Sequence, residues 1–155
     1  MGREIADLLP ETNRRAAADA ARDINVDHEG SVIVVVATDA PLSSRQLDRL
    51  ASRVALGLAR TGSTSGNTSG DIFIAFSTAN TIPQSTNART VSATFISPES
   101  TAALNPLFQA VVEATEESVL NALTKAETMI GINGNRVHAV PYDRLAAAMA
   151  KYGRR

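Results

Sequence analysis

Residues 31–37 read Ser-Val-Ile-Val-Val-Val-Ala, and they follow directly on a polar stretch that ends in Asp-His-Glu-Gly at Gly30. The run is continuous, β-branched and apolar, which predicts a strand covered on both of its faces. A second run of this kind, Ile-Phe-Ile-Ala-Phe-Ser after Asp71, predicts a second strand. Two such strands with helical patterns around them indicate an α/β domain.

The segment between these strands predicts one amphipathic helix and a loop. Residues 38–41 (Thr-Asp-Ala-Pro) form a turn, and Ser43 or Ser44 can cap a helix. Its apolar positions recur at three- and four-residue spacing, at Leu47, Leu50, Val54 and Leu58. Residues 61–70 (TGSTSGNTSG) are rich in glycine, serine and threonine, which is typical of a loop.

The rest of the chain after residue 77 predicts one further strand and mainly helices. Alternation over residues 90–96 predicts a third strand, and residues 100–130 have helical periodicity that fits one or two helices, with Pro106 near a first turn. Residues 131–135 (GINGN) predict a turn, residues 136–140 a short extended segment, and residues 141–152 a closing helix. The order β-α-β-β-α-α indicates helices packed over a sheet.

Residues 1–30 differ in character from all that follows. Residues 2–9 have weak helical patterning, and residues 11–22 could form an exposed helix with little to bury. We therefore divide the chain into residues 1–30, which end in a linker, and residues 31–155.

Composition excludes several classes of function. The chain has 155 residues, 44% of them hydrophobic, which suits one globular domain or part of one. A net charge of -1 argues against a nucleic-acid or membrane-surface partner. The absence of cysteine excludes thiolate metal sites and a cysteine nucleophile, and His28 and His138 make no metal pattern. We expect no cofactor and, from the charged residues after Met1, a cytoplasmic protein.

Three separated motifs resemble the DmpA family of L-aminopeptidases with D-amidase and esterase activity, whose relatives include β-peptidyl aminopeptidases. The motifs are residues 30–42 (GSVIVVVATDAPL), 57–63 (GLARTGS) and 65–80 (SGNTSGDIFIAFSTAN), and residues 113–123 and 126–131 are also similar. The resemblance implies a four-layer αββα sandwich of the DmpA and ornithine acetyltransferase type. It also implies that residues 1–30 end an α part that lies mostly upstream, and that αβ units assemble as a homo-oligomer, a tetramer.

The resemblance implies self-cleavage between Gly30 and Ser31, which makes Ser31 the N-terminal nucleophile of a β part. Ser69 and Asp71 match the family's supporting serine and acidic residue, although β-peptidyl members have glutamate where this chain has the shorter Asp71. The family's oxyanion-stabilising asparagine belongs to the α part. The implied partners are therefore that α part and a peptide or amino-acid amide substrate.

Elementary chemistry fits these roles. A serine hydroxyl needs a base, and the free α-amine of an N-terminal serine has a pKa of roughly 7.7–8.0 and can act as that base. Ser69 can relay a hydrogen bond to the Ser31 amine or hydroxyl, and Asp71 can orient this network. Because Ser69 and Asp71 are two residues apart where a loop enters a strand, their side chains can converge.

Other interpretations stay open at this point. By residue type alone, Ser31 is an ordinary strand-start residue, the loop at 62–70 is a surface turn, and Asn67 satisfies its own backbone. Acyl transfer and oligoamide hydrolysis on the same fold are alternative functions, although those enzymes use a threonine nucleophile. An inactive fragment that lacks most of the α part is another.

Overall fold

Two parallel strands position the candidate site. The computed structural model describes residues 31–82, 87, 89–134 and 136–153. Strand β1 spans Ile33–Thr38 and strand β2 spans Ile72–Ser77. They pair in register from Ile33 opposite Ile72 to Thr38 opposite Ser77. Both predicted strands are confirmed, and because the strands are parallel, the residues that precede them lie at the same edge of the sheet.

Helices cover only one face of this sheet within the described residues. Side chains alternate along both strands, and the inward set packs against the core: Val34, Val36, Phe73 and Ala75. The outward set is 45% to 68% exposed and consists of Ile33, Val35, Ile72, Ile74 and Phe76. No described element packs on the outward face, so the covering of both faces stays a prediction that depends on residues outside the described part of the chain.

Two helices connect β1 to β2, where the sequence predicted one. Helix α1 spans Ser44–Ala51 and helix α2 spans Val54–Arg60. The break arises at the carbonyl of Arg49, which accepts hydrogen bonds from Ser52 Oγ at 2.8 Å and Arg53 Nη1 at 3.0 Å. The main-chain N–H of Arg53 donates instead to Leu50 O, one residue short of the α-helical partner. Side-chain competition for one carbonyl thus ends α1.

The third helix is continuous. Helix α3 spans Thr101–Lys125 and contains Pro106, in its second turn and not near the first as the sequence suggested. Of the two possibilities left open by the sequence, one helix is the correct one. Helix α3 packs closely on α2 at Gly57, where an added Cβ would lie 2.6 Å from Thr115 Cβ and 2.7 Å from Val112 O.

The core lies between the inward face of the sheet and these three helices. Its buried apolar residues are Leu42, Leu50, Val54, Leu58, Leu104 and Val111. Leu50 and Val54 are fully buried. Of the four apolar positions predicted for the connecting helix, Leu50, Val54 and Leu58 are buried in the core and Leu47 packs against it, even though the helix is broken between them.

Residues 90–96, predicted as a third strand, are not a strand in the structure. The segment is held by individual hydrogen bonds and not by a ladder. Ile96 N donates to Pro41 O at 2.7 Å, and the buried Gln46 donates from Nε2 to Ile96 O at 3.0 Å. Asn80 exchanges two hydrogen bonds with the main chain of Thr94. Apolar alternation predicted a strand here, but none of the described strands pairs with this segment.

The C-terminal part forms a small hairpin and a closing helix. Strands β3 (Met129–Ile130) and β4 (Arg136–Val137) pair antiparallel around a short 3-10 helix, Ile132–Gly134. The closing helix predicted over residues 141–152 is confirmed as helix α4, which spans Tyr142–Lys151 and has Pro141 at its N-cap. The α/β class is confirmed, while the predicted helices at 2–9 and 11–22 lie outside the described residues. Across the described ranges, no helix has the length and apolar character needed to cross a membrane.

Candidate active site

The predicted site residues meet at the N-terminal edge of the sheet. Ser31 lies two residues before β1, and Ser69 and Asp71 lie just before β2. The ladder extends to this edge, because Ile72 N donates to Val32 O at 3.0 Å. Continuing the observed register therefore places Val32 opposite Asp71 and Ser31 opposite Gly70.

The Ser31 hydroxyl is exposed and held by the main chain of the loop. Gly70 N donates a hydrogen bond to Ser31 Oγ at 2.9 Å. The same glycine leaves little room, since a Cβ at position 70 would lie 3.1 Å from Ser31 Oγ. The structure thus gives the predicted nucleophile a fixed position at the edge of the sheet, while its neighbour Gly30 lies outside the described residues.

The carboxylate of Asp71 accepts hydrogen bonds from two directions. Val32 N donates to Oδ1 at 2.9 Å, and Ser65 Oγ donates to Oδ2 at 3.2 Å. The Val32 N–H is the largest of the influences that hold the pKa of Asp71 below its usual value, followed by the nearby Ser69 hydroxyl, and Ser65 adds a smaller one. Asp71 is therefore ionised at neutral pH. Its carboxylate is bonded to the N–H of Val32, the residue that follows Ser31.

Ser69 is close to this carboxylate but does not make the predicted relay. Its hydroxyl oxygen is buried and has no hydrogen-bond partner among the described residues. The Ser69 hydroxyl nevertheless lies near enough to the Asp71 carboxylate to help lower the pKa of that group. The predicted bond from Ser69 to Ser31 is absent, and the Gly70 N–H occupies Ser31 Oγ instead.

Two residues at this edge were not predicted. The loop turns at Ser65, whose φ of 43° is in the left-handed region that favours glycine. Its N–H donates to Ser63 Oγ at 3.2 Å, and its hydroxyl reaches Asp71. Neither this contact nor the Gly70 N–H has a sequence signal beyond the glycine- and serine-rich composition of the loop.

Other polar candidates stay away from these contacts. Asn67 is exposed in the loop, and His28 lies outside the described residues. In the described part of the chain, no three histidine, aspartate or glutamate side chains group so that they could hold a metal ion. A concave pocket of about 440 Å³ between the starts of α1 and α3, lined in part by Arg45, Arg49 and Glu99, contains none of the site residues. Ser31 itself is exposed.

A sequence comparison identifies the family. Residues 1–137 match the family model described as Peptidase family S58. The beta-peptidyl aminopeptidase BapA of Sphingosinicella microcystinivorans is 41% identical over 155 residues, which is 99% of this chain and 38% of that protein. The chain thus spans well under half the length of this curated relative.

Solved structures agree with the sequence comparison. The L-aminopeptidase D-Ala-esterase/amidase of Ochrobactrum anthropi, described as a prototype of the serine aminopeptidases and a variant of the Ntn hydrolase fold, is 42% identical with a TM-score of 0.71 over 80% of this chain and 34% of its own. A Burkholderia sp. beta-aminopeptidase gives 37% identity and a TM-score of 0.71 over 84% of this chain and 37% of its own. The Ntn-type α/β architecture is therefore established for this chain.

Proposed function

We propose a function from one premise: this chain belongs to peptidase family S58. It is the nucleophile-bearing part of a self-processing serine aminopeptidase or amidase, which hydrolyses short peptides, amides or esters. The observation that supports this best is the edge of the sheet at which an oriented Ser31 hydroxyl, the Ser69 hydroxyl and the Asp71 carboxylate lie together.

Self-cleavage at Gly30–Ser31 generates the base. Ser31 Oγ attacks the carbonyl carbon of Gly30, the new C–O bond replaces the C–N bond, and the Ser31 nitrogen takes up the hydroxyl proton. Water then hydrolyses this ester, which leaves a carboxylate on Gly30 and a free α-amine on Ser31. In the cleaved enzyme this amine is the general base for Ser31 Oγ.

Turnover repeats the chemistry on a substrate. The α-amine accepts the Ser31 proton as Oγ forms an ester with the substrate carbonyl carbon, and the proton passes to the departing amine when the substrate C–N bond breaks. Water hydrolyses the acyl ester and restores the hydroxyl. Asp71 stabilises the transiently protonated amine, and the unpaired Ser69 hydroxyl is available as a hydrogen-bond acceptor for it.

The chain needs an α part to complete the site. Ser31 is exposed at the edge of the sheet, and we propose that residues of the α part complete the walls of a substrate pocket around it. The outward sheet face (Ile33, Val35, Ile72, Ile74 and Phe76) is apolar and exposed, as expected of a surface covered by another layer. We propose that upstream α-part residues form that layer in an αββα sandwich, and we call this chain together with an α part the assembled enzyme.

The substrate class follows from the relatives. The names of the Sphingosinicella and Burkholderia relatives specify β-aminopeptidases, and that of the Ochrobactrum relative specifies an L-aminopeptidase. We propose that the assembled enzyme releases an N-terminal amino acid from short peptides or amides. A homo-oligomer of αβ units and a cytoplasmic location remain predictions, which sedimentation and cell fractionation would test.

The proposal is tested with the assembled enzyme, its α part supplied by its own gene or by the Ochrobactrum relative. Intact-mass measurement is expected to show a chain that begins at Ser31, and p-nitroanilides of L-alanine and β-alanine are expected to be hydrolysed. Ser31→Ala is expected to abolish cleavage and turnover. An active preparation that contains only uncleaved chain contradicts the proposal, while acyl exchange without hydrolysis supports the acyltransferase alternative. A correctly assembled but inert wild-type protein supports the inactive-fragment alternative.

A further inference from the structure

The main-chain N–H of Gly70 points at the side chain of Ser31. In the parallel ladder Ile72 N donates to Val32 O, and Gly70 N is the next donor of this kind toward the edge of the sheet. It donates to Ser31 Oγ at 2.9 Å. A main-chain donor at the end of the ladder thus points at the atom that the proposed reaction uses.

The space at position 70 is restricted toward the same atom. An added Cβ would lie 3.1 Å from Ser31 Oγ and 3.7 Å from Ser31 Cβ, which are its nearest heavy atoms among the described residues apart from the chain neighbours of Gly70. The φ of Gly70 is not in the left-handed region, so the backbone conformation alone does not require glycine there. The restriction on position 70 therefore comes from contact with the nucleophile.

We propose that Gly70 is a catalytic residue with two separable parts, a main-chain N–H that orients and stabilises Ser31 Oγ and a missing side chain that leaves Oγ free to attack. This inference rests on the proposed function, since it assumes that Ser31 is the nucleophile. A hydrogen bond donated to Oγ strengthens when the hydroxyl loses its proton, because the acceptor then carries negative charge. The N–H also limits rotation of the Ser31 side chain.

Two changes separate these parts in the assembled enzyme. Gly70→Ala keeps the N–H and adds a methyl group against Oγ. Replacement of Gly70 by glycolic acid, through incorporation of the α-hydroxy acid, exchanges the N–H for an oxygen and adds no side chain. Each is expected to lower kcat by roughly ten- to hundredfold, through misplacement of the hydroxyl in the first case and loss of a charge-assisted hydrogen bond in the second. Gly66→Ala, in the same loop and with a backbone that alanine can adopt, adds a matched methyl group and is expected to stay within about twofold of wild type.

A small reagent that reacts with serine nucleophiles and does not need to bind as a peptide does gives a second measure of the reactivity of Ser31. The rate at which phenylmethanesulfonyl fluoride modifies Ser31 reports the nucleophile itself, and we expect it to fall in parallel with kcat while KM changes little. The first control is that the wild-type enzyme turns over substrate and that Ser31→Ala does not. If the wild type shows no such turnover, the proposed function is overturned and not the role of Gly70. If Gly70→Ala fails to assemble, the glycolate variant decides.

The inference is overturned if the folded, assembled variants self-cleave, react with the fluoride and turn over within about twofold of wild type. It is also overturned if only KM rises, since that pattern identifies position 70 as a substrate contact. Loss of activity together with loss of assembly in both variants, with no effect of Gly66→Ala, indicates a structural role and likewise contradicts it.

Discussion

Replacement of Gly57 by alanine tests how closely α2 and α3 pack. Helix propensity alone favours alanine in a helix interior by about 1 kcal/mol. The structure opposes it, because the new Cβ would lie 2.6 Å from Thr115 Cβ, 3.0 Å from Thr115 Cγ2 and 2.7 Å from Val112 O. Ordinary carbon contacts are about 3.5–4.0 Å, so the helices must separate by roughly 1 Å at a buried crossing.

The expected cost exceeds the gain. Overpacking of a well-packed core costs about 1–3 kcal/mol, and the upper part of this range applies here because the obstacles include a backbone oxygen and a Cβ, which cannot rotate away. We therefore expect Gly57→Ala to lower the free energy of unfolding by about 1–2 kcal/mol after the propensity gain is subtracted.

The assay is thermal and urea unfolding of the assembled enzyme, followed by circular dichroism. Ala59→Gly, at an exposed position of the same helix, calibrates the propensity term, with an expected loss of about 1 kcal/mol. Thr115→Gly removes two of the three close contacts, so its combination with Gly57→Ala should cost less than the sum of the single changes. A Gly57→Ala protein as stable as wild type, or more stable, would refute the reasoning.

Three further predictions concern the site and the isolated chain. Ser69→Ala should lower kcat at least about tenfold without lowering the unfolding midpoint, because the hydroxyl that it removes is buried and unpaired; a large loss of stability with kcat unchanged would contradict this. Ser65→Ala should raise the pKa of Asp71, since it removes one donor to the carboxylate, and the carbon-13 NMR titration of the Asp71 carboxyl should move to higher pH; an unmoved or lowered midpoint would count against the contact. Residues 1–155 alone should associate in size-exclusion chromatography and lack p-nitroanilide hydrolysis because the outward sheet face is exposed, and a stable, active monomer would disprove it.

Stability should also follow the ionisation of Asp71. Because the pKa of Asp71 is lowered in the folded state, its contribution is complete above the pKa of an unfolded aspartate and is lost as the pH falls through the lower folded value. Because Ser65→Ala raises the folded-state pKa of Asp71 toward the unfolded value, it shortens, at its acid end, the pH range over which this contribution is lost.

The sequence predicted what depends on local pattern. Strands β1 and β2 follow from their β-branched runs, and Pro141 correctly marks the start of α4. The break after α1 could not be predicted in this way, because it depends on two side chains that reach one carbonyl at Arg49. The strand expected at 90–96 does not form. Apolar alternation indicates a sequence that can be a strand, but a strand also needs a neighbouring strand to pair with, and none of the described strands pairs with this segment.

The site was predictable through side chains and not through the main chain. Ser31, Ser69 and Asp71 could be placed together because the motifs that contain them resemble those of the DmpA family, and the structure brings all three to one edge of the sheet. The donor at Gly70 is a backbone group whose position depends on the register of two strands, and every residue except proline carries such a group. Sequence composition therefore marks the loop but not which of its N–H groups contacts Ser31 Oγ.

The parallel register of β1 and β2 also determines where the chain can gain or lose residues without disturbing the site. The spacing between nucleophile and carboxylate is set by two short stretches, residues 31–33 and 70–72, which the ladder holds side by side. An insertion of one residue in either stretch would shift Ser31 past its partner by about 3.3 Å and turn its side chain to the other face. Added residues in the exposed stretch at 81–82, beyond the end of β2, by contrast change neither stretch. Insertions and deletions should therefore be tolerated at the far end of the sheet and be almost absent beside Ser31, so that length variation among natural or designed variants would itself mark the catalytic edge.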